Sequence, residues 1–501
     1  MKKQFRLEYI LFKESDEFDR VFYNFLLNDD YDKHKPYSTL VIGPNGTGKS
    51  RLLKALIEIF NDLYNHKTNS EATKSHYTYD LAYSIGGKSI VVTYDGFGYL
   101  LNINGDFVDF SHIELPDKGI AAAYSLYEKF TPKNSSKIDG RGGRYDNEFY
   151  EYLGVKTNNN YAFSSTNITN SIDLITEAVS VNGFDKDLFE VFKVLGFNPT
   201  LKIEYEVKKF KRLFSGNIDV SELRNRLSDF NFRNSGFSYS SIVKLLELND
   251  NELYPVVESI NFISKYLYKN RKFVFEVIFD GSANYLEYND FYKHLSQLRR
   301  VKFLSYGKIG VSKRNNQVFK GDDPELNSMS SGEIHLLTSF LSLASVVKDS
   351  SLILIDEPEI SLHPNWQIRY MDLLNTIFRH SSGCHFIIAT HSHFLASDLL
   401  PDASAILSLR ADREGKIIPE TIPSAYGLSA ENVLYNIFGV VTTRNLSFEL
   451  DVKELLRLVR AESKDYDAMR TLVNKFRKFQ LSTADPLLVL IKDVEKYLQN
   501  S

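Results

Sequence analysis

The sequence predicts an α/β protein: a mixed β-sheet core with an antiparallel β-subdomain, a helical insertion and a C-terminal helical region. Three observations predict it. The β-rich run Ser38-Thr-Leu-Val-Ile42 passes through a Gly-rich turn into Arg51-Leu-Leu-Lys-Ala-Leu-Ile-Glu-Ile-Phe60, whose apolar residues recur at helical spacing. Short alternating runs such as 89–94 and 99–103, separated by Asp-Gly and Asn-Gly turns, mark an antiparallel meander between about Tyr77 and Phe110. Two strongly apolar strands, 352–355 and 386–389, enclose a helical stretch with room for a right-handed crossover.

The 501 residues exceed the length at which one core usually stops growing, so a main domain with appended helical parts is expected. The expected division is an N-terminal lobe over 1–170, a helical insertion over 171–270, a C-terminal lobe over 271–410 and a helical region over 411–501. Within the first lobe, 133–170 is rich in Asn, Ser and Gly and reads as a long loop. Between about Ile172 and Lys269 amphipathic pieces such as 187–194 and 241–248 are broken by Asn, Gly and Pro, and no heptads persist. A compact helical lobe, not a coiled-coil arm, follows. Strand signals return at 272–279 and 301–305, and the tail from about Ser429 reads as helical.

Composition excludes several classes. Hydrophobic residues at 43% and charged residues at 25% suffice for a sizeable core, so long disorder is not expected. A net charge of −4 gives no basic field, which argues against a protein whose main work is coating nucleic acid. Local runs around Lys208–Arg212, Lys269–Lys272 and Arg299-Arg300 leave DNA or RNA contact open, although such runs are usually solvated helix faces. The single cysteine, Cys384, rules out an internal disulfide and a zinc site with two thiolates, and its flanks read as a strand entering the core. Residues 1–10 alternate charged and apolar side chains, and no window reaches the roughly 18 apolar residues of a membrane span. A cytoplasmic chain with no membrane partner is the expectation.

Gly43-Pro-Asn45-Gly46-Thr-Gly48-Lys49-Ser50 fits G-x-x-x-x-G-K-[ST] and sits after a strand and at the start of a helix, where its mechanism requires it. The glycines let backbone N–H groups wrap a phosphate at a helix N-terminus, and Arg51 follows in the first turn. Lys49 is placed to reach the β- and γ-phosphates of ATP, and the Ser50 hydroxyl to ligate Mg²⁺. Residues 352–358, Leu-Ile-Leu-Ile-Asp356-Glu357-Pro, form an apolar strand ending in two carboxylates. Asp356 is suited to hold Mg²⁺ and Glu357 to polarise the attacking water. Met329-Ser330-Ser331-Gly332-Glu333 opens an apolar helical run, about 25 residues before the acidic strand; alone it is only a good N-cap. His391 follows the strand ending at Ala389, and a lone histidine there is more often structural.

Together the motifs in 38–60 and 326–396 resemble the ABC-ATPase superfamily, including its SMC-like heads. The resemblance implies an ABC-type P-loop NTPase head, with Ser330, Ser331, Gly332 and Glu333 as the signature and His391 as the switch histidine. It places Ser361-Leu-His363-Pro as the loop that crosses the dimer interface. It also implies that signature and phosphate loop meet only across a head-to-tail pair, so two ATP molecules would lie within a homodimer or higher oligomer. One departure stands out: no glutamine occurs between Ser50 and Gln297, so the glutamine that usually couples Mg²⁺ to the middle of such a head is missing.

The string Asp356-Glu-Pro-Glu-Ile-Ser-Leu-His-Pro-Asn-Trp-Gln367, with Ile388-Ala-Thr-His-Ser392 and Tyr426-Gly-Leu-Ser-Ala-Glu-Asn-Val-Leu-Tyr-Asn-Ile-Phe-Gly-Val440, resembles the ATPases of bacterial defence systems more than transporter subunits. It is similar to the Septu-type PtuA family, including members attached to retrons, which implies a separate HNH nuclease as partner against phage. The OLD family and the AriA sensor of PARIS systems are alternatives, both tied to TOPRIM nucleases. After Asp398 no Asp-x-Asp pair on a strand appears, so a built-in nuclease is not expected.

Overall fold

The computed structural model describes residues 3–14, 20–27, 31–68, 75–125, 128–132, 147–154, 164–182, 186–207, 211–228, 243, 245–270, 274–280, 289–313, 326, 329–422, 425–428, 430–438, 445–460, 465–478 and 486–499. The first strands in chain order are β1 (Phe5–Glu14), β2 (Val21–Asn24), β3 (Tyr37–Ile42), β4 (Tyr77–Ile85), β5 (Lys88–Tyr94), β6 (Tyr99–Ile103), β7 (Asp106–Val108) and β8 (Gly119–Ala123). Then come β9 (Tyr150–Gly154), β10 (Phe197–Glu206), β11 (Val274–Asp280), β12 (Ser305–Lys313), β13 (Leu352–Asp356), β14 (His385–Ala389), β15 (Ser404–Ala411) and β16 (Ile417–Ile422). The helices of the larger unit are α1 (Lys49–Lys67), α2 (Ser164–Asn182), α3 (Lys186–Val194), α4 (Val220–Ser228), α5 (Asp250–Asn270), α6 (Asn289–Arg300), α7 (Ser331–Val346), α8 (Pro364–Ile377) and α9 (His393–Ser397). Near the C-terminus lie α10 (Leu446–Arg460), α11 (Tyr466–Arg477) and α12 (Pro486–Gln499).

The larger of two compact units, Met1–Val433, is built on a seven-stranded sheet of order β16-β15-β3-β14-β13-β8-β9. All its neighbours pair in parallel except β15 with β16. The central strands β3, β13 and β14 are buried at every position, as continuous apolar runs covered on both faces must be. A six-stranded antiparallel sheet, β2-β1-β4-β5-β6-β7, supplies the second layer, its β4 to β7 being the expected meander. Helix α1 is buried nearly all round, with Leu52, Leu56 and Phe60 in a core shared by both sheets. The expected α/β class, a mixed sheet with an antiparallel subdomain, is therefore what the chain adopts.

The opposite ends of the strands are fixed by an unusual cation. The Arg6 guanidinium, fully buried, donates to the carbonyls of Lys35 (2.9 Å), Ser382 (2.9 Å) and Cys384 (3.0 Å), which ties β1 to the residues entering β3 and β14. Burial pushes its pKa down, and the rings of Tyr31 and Tyr37 lie 5.3 and 5.9 Å from it. His385 beside it accepts from Leu7 N at Nδ1 (3.0 Å) and meets Thr39 Oγ1 at Nε2 (2.9 Å), and Cys384 is buried as expected.

Several expectations are corrected. The stretch 171–270 is not purely helical: β10 runs through it, pairing with β11 and β12 in a three-stranded antiparallel sheet, so this insertion is mixed α and β. Its alternation is plain in the burial of Leu201, Ile203 and Tyr205 between half-buried neighbours. The loop expected over 133–170 holds β9 and the start of α2, with 133–146 and 155–163 outside the described residues. At 301–305 the chain turns, and the strand begins only at Ser305. The region 411–501 contributes β16 to the main sheet before its helices. The second unit, Leu434–Ser501, contains α10 to α12, which bury Leu455, Leu458, Met469, Val473, Phe476 and Ile491 against one another.

Two outcomes follow from the packing. Phe60 is fully buried, edge-on to Phe5 (5.6 Å) and tilted on Tyr83 (5.5 Å), so Phe60→Ala should lower unfolding free energy by about 3–5 kcal/mol in denaturant titration. His335 on α7 lies edge-on to Tyr124 (4.5 Å) with Nε2 3.3 Å from the Pro358 carbonyl, and burial pushes its pKa down to about 4. The folded chain therefore resists a proton that the unfolded chain accepts near pH 6.5, and stability is lost as pH falls from about 6.5 to about 4. In His335→Phe that loss should shrink by on the order of 2–3 kcal/mol, measured as the pH dependence of unfolding.

Candidate functional site

The loop between β3 and α1 is shaped by its glycines. At Gly43 a Cβ would stand 2.4 Å from the Leu409 carbonyl and 2.9 Å from Thr47 Oγ1, so no side chain fits. Gly48 caps α1 with φ 88°, a left-handed conformation that glycine adopts without strain. Pro44, Asn45 and Gly46 are exposed at the rim, and Arg51 is exposed in the first turn of α1. Lys49 is buried and donates through Nζ to the carbonyls of Gly43 (2.9 Å) and Pro44 (3.2 Å). Burial pushes its pKa down, against the pull of Glu357, Asp356 and Glu359.

The acidic strand meets this loop directly. Ser50 Oγ donates to Asp356 Oδ1 at 3.0 Å. Asp356 is 3% exposed, and burial pushes its carboxyl up to about 6, with the Ser50 hydrogen bond opposing. Glu357 follows with φ 51°, a strained value for a side-chain-bearing residue, its N–H donating to the Ala389 carbonyl at 2.9 Å. His391 Nε2 stands 3.7 Å from Glu357 Oε1. Burial lowers the imidazole pKa, Lys49 lowers it further, and Glu357 opposes both. Six expected residues, Gly43, Lys49, Ser50, Asp356, Glu357 and His391, are thus brought to one edge of the sheet.

Ser330, Ser331, Gly332 and Glu333 form the exposed to half-buried N-terminus of α7. Ser330 is the N-cap: its Oγ accepts from Glu333 N (3.3 Å), and Glu333 Oε2 accepts from Ser330 N (3.2 Å) and Oγ (3.0 Å). This capping box holds the Glu333 carboxylate against its own turn. A Cβ on Gly332 would stand 3.2 Å from the Ser361 carbonyl, so the loop around Ser361 packs against this turn within one chain.

Sequence reasoning missed three contributors. Glu359 Oε1 accepts from His391 N at 2.6 Å, and burial raises its pKa. Gln367 and Ser392 hydrogen-bond to each other (2.7 Å) across the same corner. The third acidic residue of Asp-Glu-Pro-Glu was the available signal for Glu359. Strand β8 ends at Ala123, paired with Asp356, and the next residues are Tyr124 and Ser125. Of the basic residues, Arg299 is paired with Asp173 (3.1 Å) and Arg300 with Glu177 (2.5 Å), while 208–210 and 271–273 lie outside the described residues. Among the described residues no three His, Cys, Asp or Glu side chains form a metal cage, and no helix is long and apolar enough to cross a membrane.

The AAA ATPase domain model matches residues 27–396, which takes in the loop 43–50, the N-terminus of α7, the acidic strand and His391. The chain is 24% identical over 385 residues to the retron Ec83 probable ATPase of Escherichia coli, covering 72% of this chain and 64% of that protein, so it spans less than two thirds of that relative's length. Distant structural likenesses are the Smc head domain with an extended coiled coil bound to the C-terminal domain of ScpA from Pyrococcus furiosus (12% identity, 84% of this chain and 97% of that one, TM-score 0.32) and the SMC head domain from Thermotoga maritima (13%, 83% and 98%, TM-score 0.34). With 370 of its residues inside the family model, from before the glycine-rich loop to beyond His391, the chain belongs to the AAA ATPase domain family.

Proposed function

We propose that the chain binds ATP with Mg²⁺, hydrolyses it slowly, and completes each site by pairing two copies head to tail. The observation that carries this reading is the corner where Ser50 Oγ and Asp356 Oδ1 lie 3.0 Å apart, with Glu357 and His391 3.7 Å apart beside them. A hydroxyl and a carboxylate held together suit Mg²⁺, which typically takes one or two protein oxygens and fills the rest with phosphate and water. Bound there, Mg²⁺ would neutralise charge on the β- and γ-phosphates.

The chain's own groups divide the remaining work. Lys49, released from the Gly43 and Pro44 carbonyls, turns its ammonium to the phosphates. Glu357 orients the attacking water, and His391, its pKa lowered toward the neutral imidazole, supports Glu357 and the γ-phosphate. Ser330 and Ser331, exposed at the start of a sixteen-residue helix, supply N–H groups and hydroxyls to the nucleotide of a second copy. Likeness to a retron ATPase and to the Septu-type motifs supports a role in defence against phage, in which the nucleotide-gated dimer controls a separate nuclease of the HNH type.

Lys49→Ala should abolish ATP binding in a fluorescent-nucleotide titration; unchanged affinity removes the phosphate loop from its role. Glu357→Gln should retain ATP and accumulate a dimer in analytical ultracentrifugation, with turnover reduced at least about 100-fold. Ser330→Arg should bind ATP with wild-type affinity as a monomer and hydrolyse nothing. A monomeric wild type that hydrolyses ATP at full rate overturns the composite site.

A further inference from the structure

We infer that Gln367 is a positioning residue for His391, holding the switch segment to the loop that faces the second copy; this rests on the reading above. Residues 390–392 are fixed in place by a small set of hydrogen bonds. Ser392 N donates to Thr390 Oγ1 (2.9 Å), a bond internal to the segment. Thr390 N is tied to the Val41 carbonyl of β3 (3.1 Å), and the other outside attachments come from the segment that follows the acidic strand: His391 N to Glu359 Oε1 (2.6 Å) and Ser392 Oγ to Gln367 Oε1 (2.7 Å).

Gln367 closes this set because both ends of its amide are used. Oε1 accepts the Ser392 hydroxyl proton, and Nε2 donates to the Leu362 carbonyl at 2.9 Å. A reversed amide would set Oε1 against that carbonyl, so the orientation is fixed by the loop. Ser392 Oγ in turn accepts from Phe394 N (3.3 Å) as the N-cap of α9, so its one proton is committed to Gln367. The loop end of the link is itself defined: Ser361 takes φ 65°, and its carbonyl lies against Gly332 of the signature turn. Leu362 is buried while Ser361 and His363 on either side are exposed. A displacement of residues 361–363 by a second copy is therefore delivered through the Gln367 amide to Ser392, next to the imidazole that works on the chain's own nucleotide, beside a second link in which the Glu359 carbonyl accepts from Leu362 N (3.0 Å) and its carboxylate from His391 N.

The test uses the full chain labelled at histidine, with the His391 imidazole signal assigned by its loss in His391→Ala. In nucleotide-free Gln367→Met, which keeps length and loses both hydrogen bonds, the His391 signal shifts or broadens while that of His385, at the far end of β14, stays in place. An unmoved His391 signal beside an intact His385 signal overturns the inference, and this arm decides it even if the wild type hydrolyses no ATP, in which case only the function proposed above falls. In turnover, Gln367→Met lowers kcat about tenfold with KM for ATP within about twofold, and His391→Ala/Gln367→Met is no slower than His391→Ala. Losses that multiply in the double variant overturn it.

Discussion

Parallel pairing in the middle of the seven-stranded sheet sets everything else, because it brings one row of residues level across four strands. Val41 pairs with Ala389, Ala389 with Asp356, and Asp356 with Ala123. The glycine-rich loop, the residues around His391, the acidic pair and the residues after β8 all leave the sheet from that row, and parallel strands are what make them leave on the same side. A slip of one residue in β14 would move His391 away from Glu357 and turn every buried side chain of that strand over. The register is guarded at the other end, where Arg6 gathers the carbonyls of Lys35, Ser382 and Cys384, and where His385 is hydrogen-bonded to Leu7 and Thr39.

Charge at the corner is arranged around buried groups that lack full compensation. Asp356, Glu357 and Glu359 all act on Lys49, yet the ammonium bonds to carbonyls of its own loop, and the Asp356 carboxyl is held high by burial with a single hydroxyl donor. Such an arrangement costs stability without ligand and is relieved by a polyanion and a cation arriving together. Backbone strain at Glu357 and Ser361 belongs to the same economy, since both residues take positive φ where the chain leaves β13 toward the exposed loop. The capping box at Ser330 and the bonds of Gln367 keep the neighbouring turns ordered meanwhile.

The mixed insertion shows why local patterns mislead. In β10, Lys202, Glu204 and Glu206 alternate with buried Leu201, Ile203 and Tyr205, but the strand is flanked by helices on a chain with many amphipathic pieces, so the helical signal dominated. What stabilises β10 is pairing with β11 and β12, some seventy to a hundred residues further on, which no local window contains. Likewise β9 is five residues inside an Asn- and Gly-rich stretch, and it becomes a strand by joining the edge at β8.

By itself the sequence determined the local chemistry: the glycine loop before a helix, the apolar strand ending in Asp356 and Glu357, the N-cap at Ser330, and the meander with its Asp-Gly and Asn-Gly turns. Each of these is written in neighbouring residues, through backbone sterics, capping or period-two burial. Only the tertiary structure decided which carboxylate reaches Ser50, that Glu359 and Gln367 hydrogen-bond to His391 and Ser392, that β8 sets Ala123 beside Asp356, and that Arg299 and Arg300 are ion-paired. Those outcomes depend on strand order and on contacts between residues tens to hundreds of positions apart. The free energy that selects them comes from burial and hydrogen-bond satisfaction in the assembled core, and a linear reading of the chain holds no measure of either.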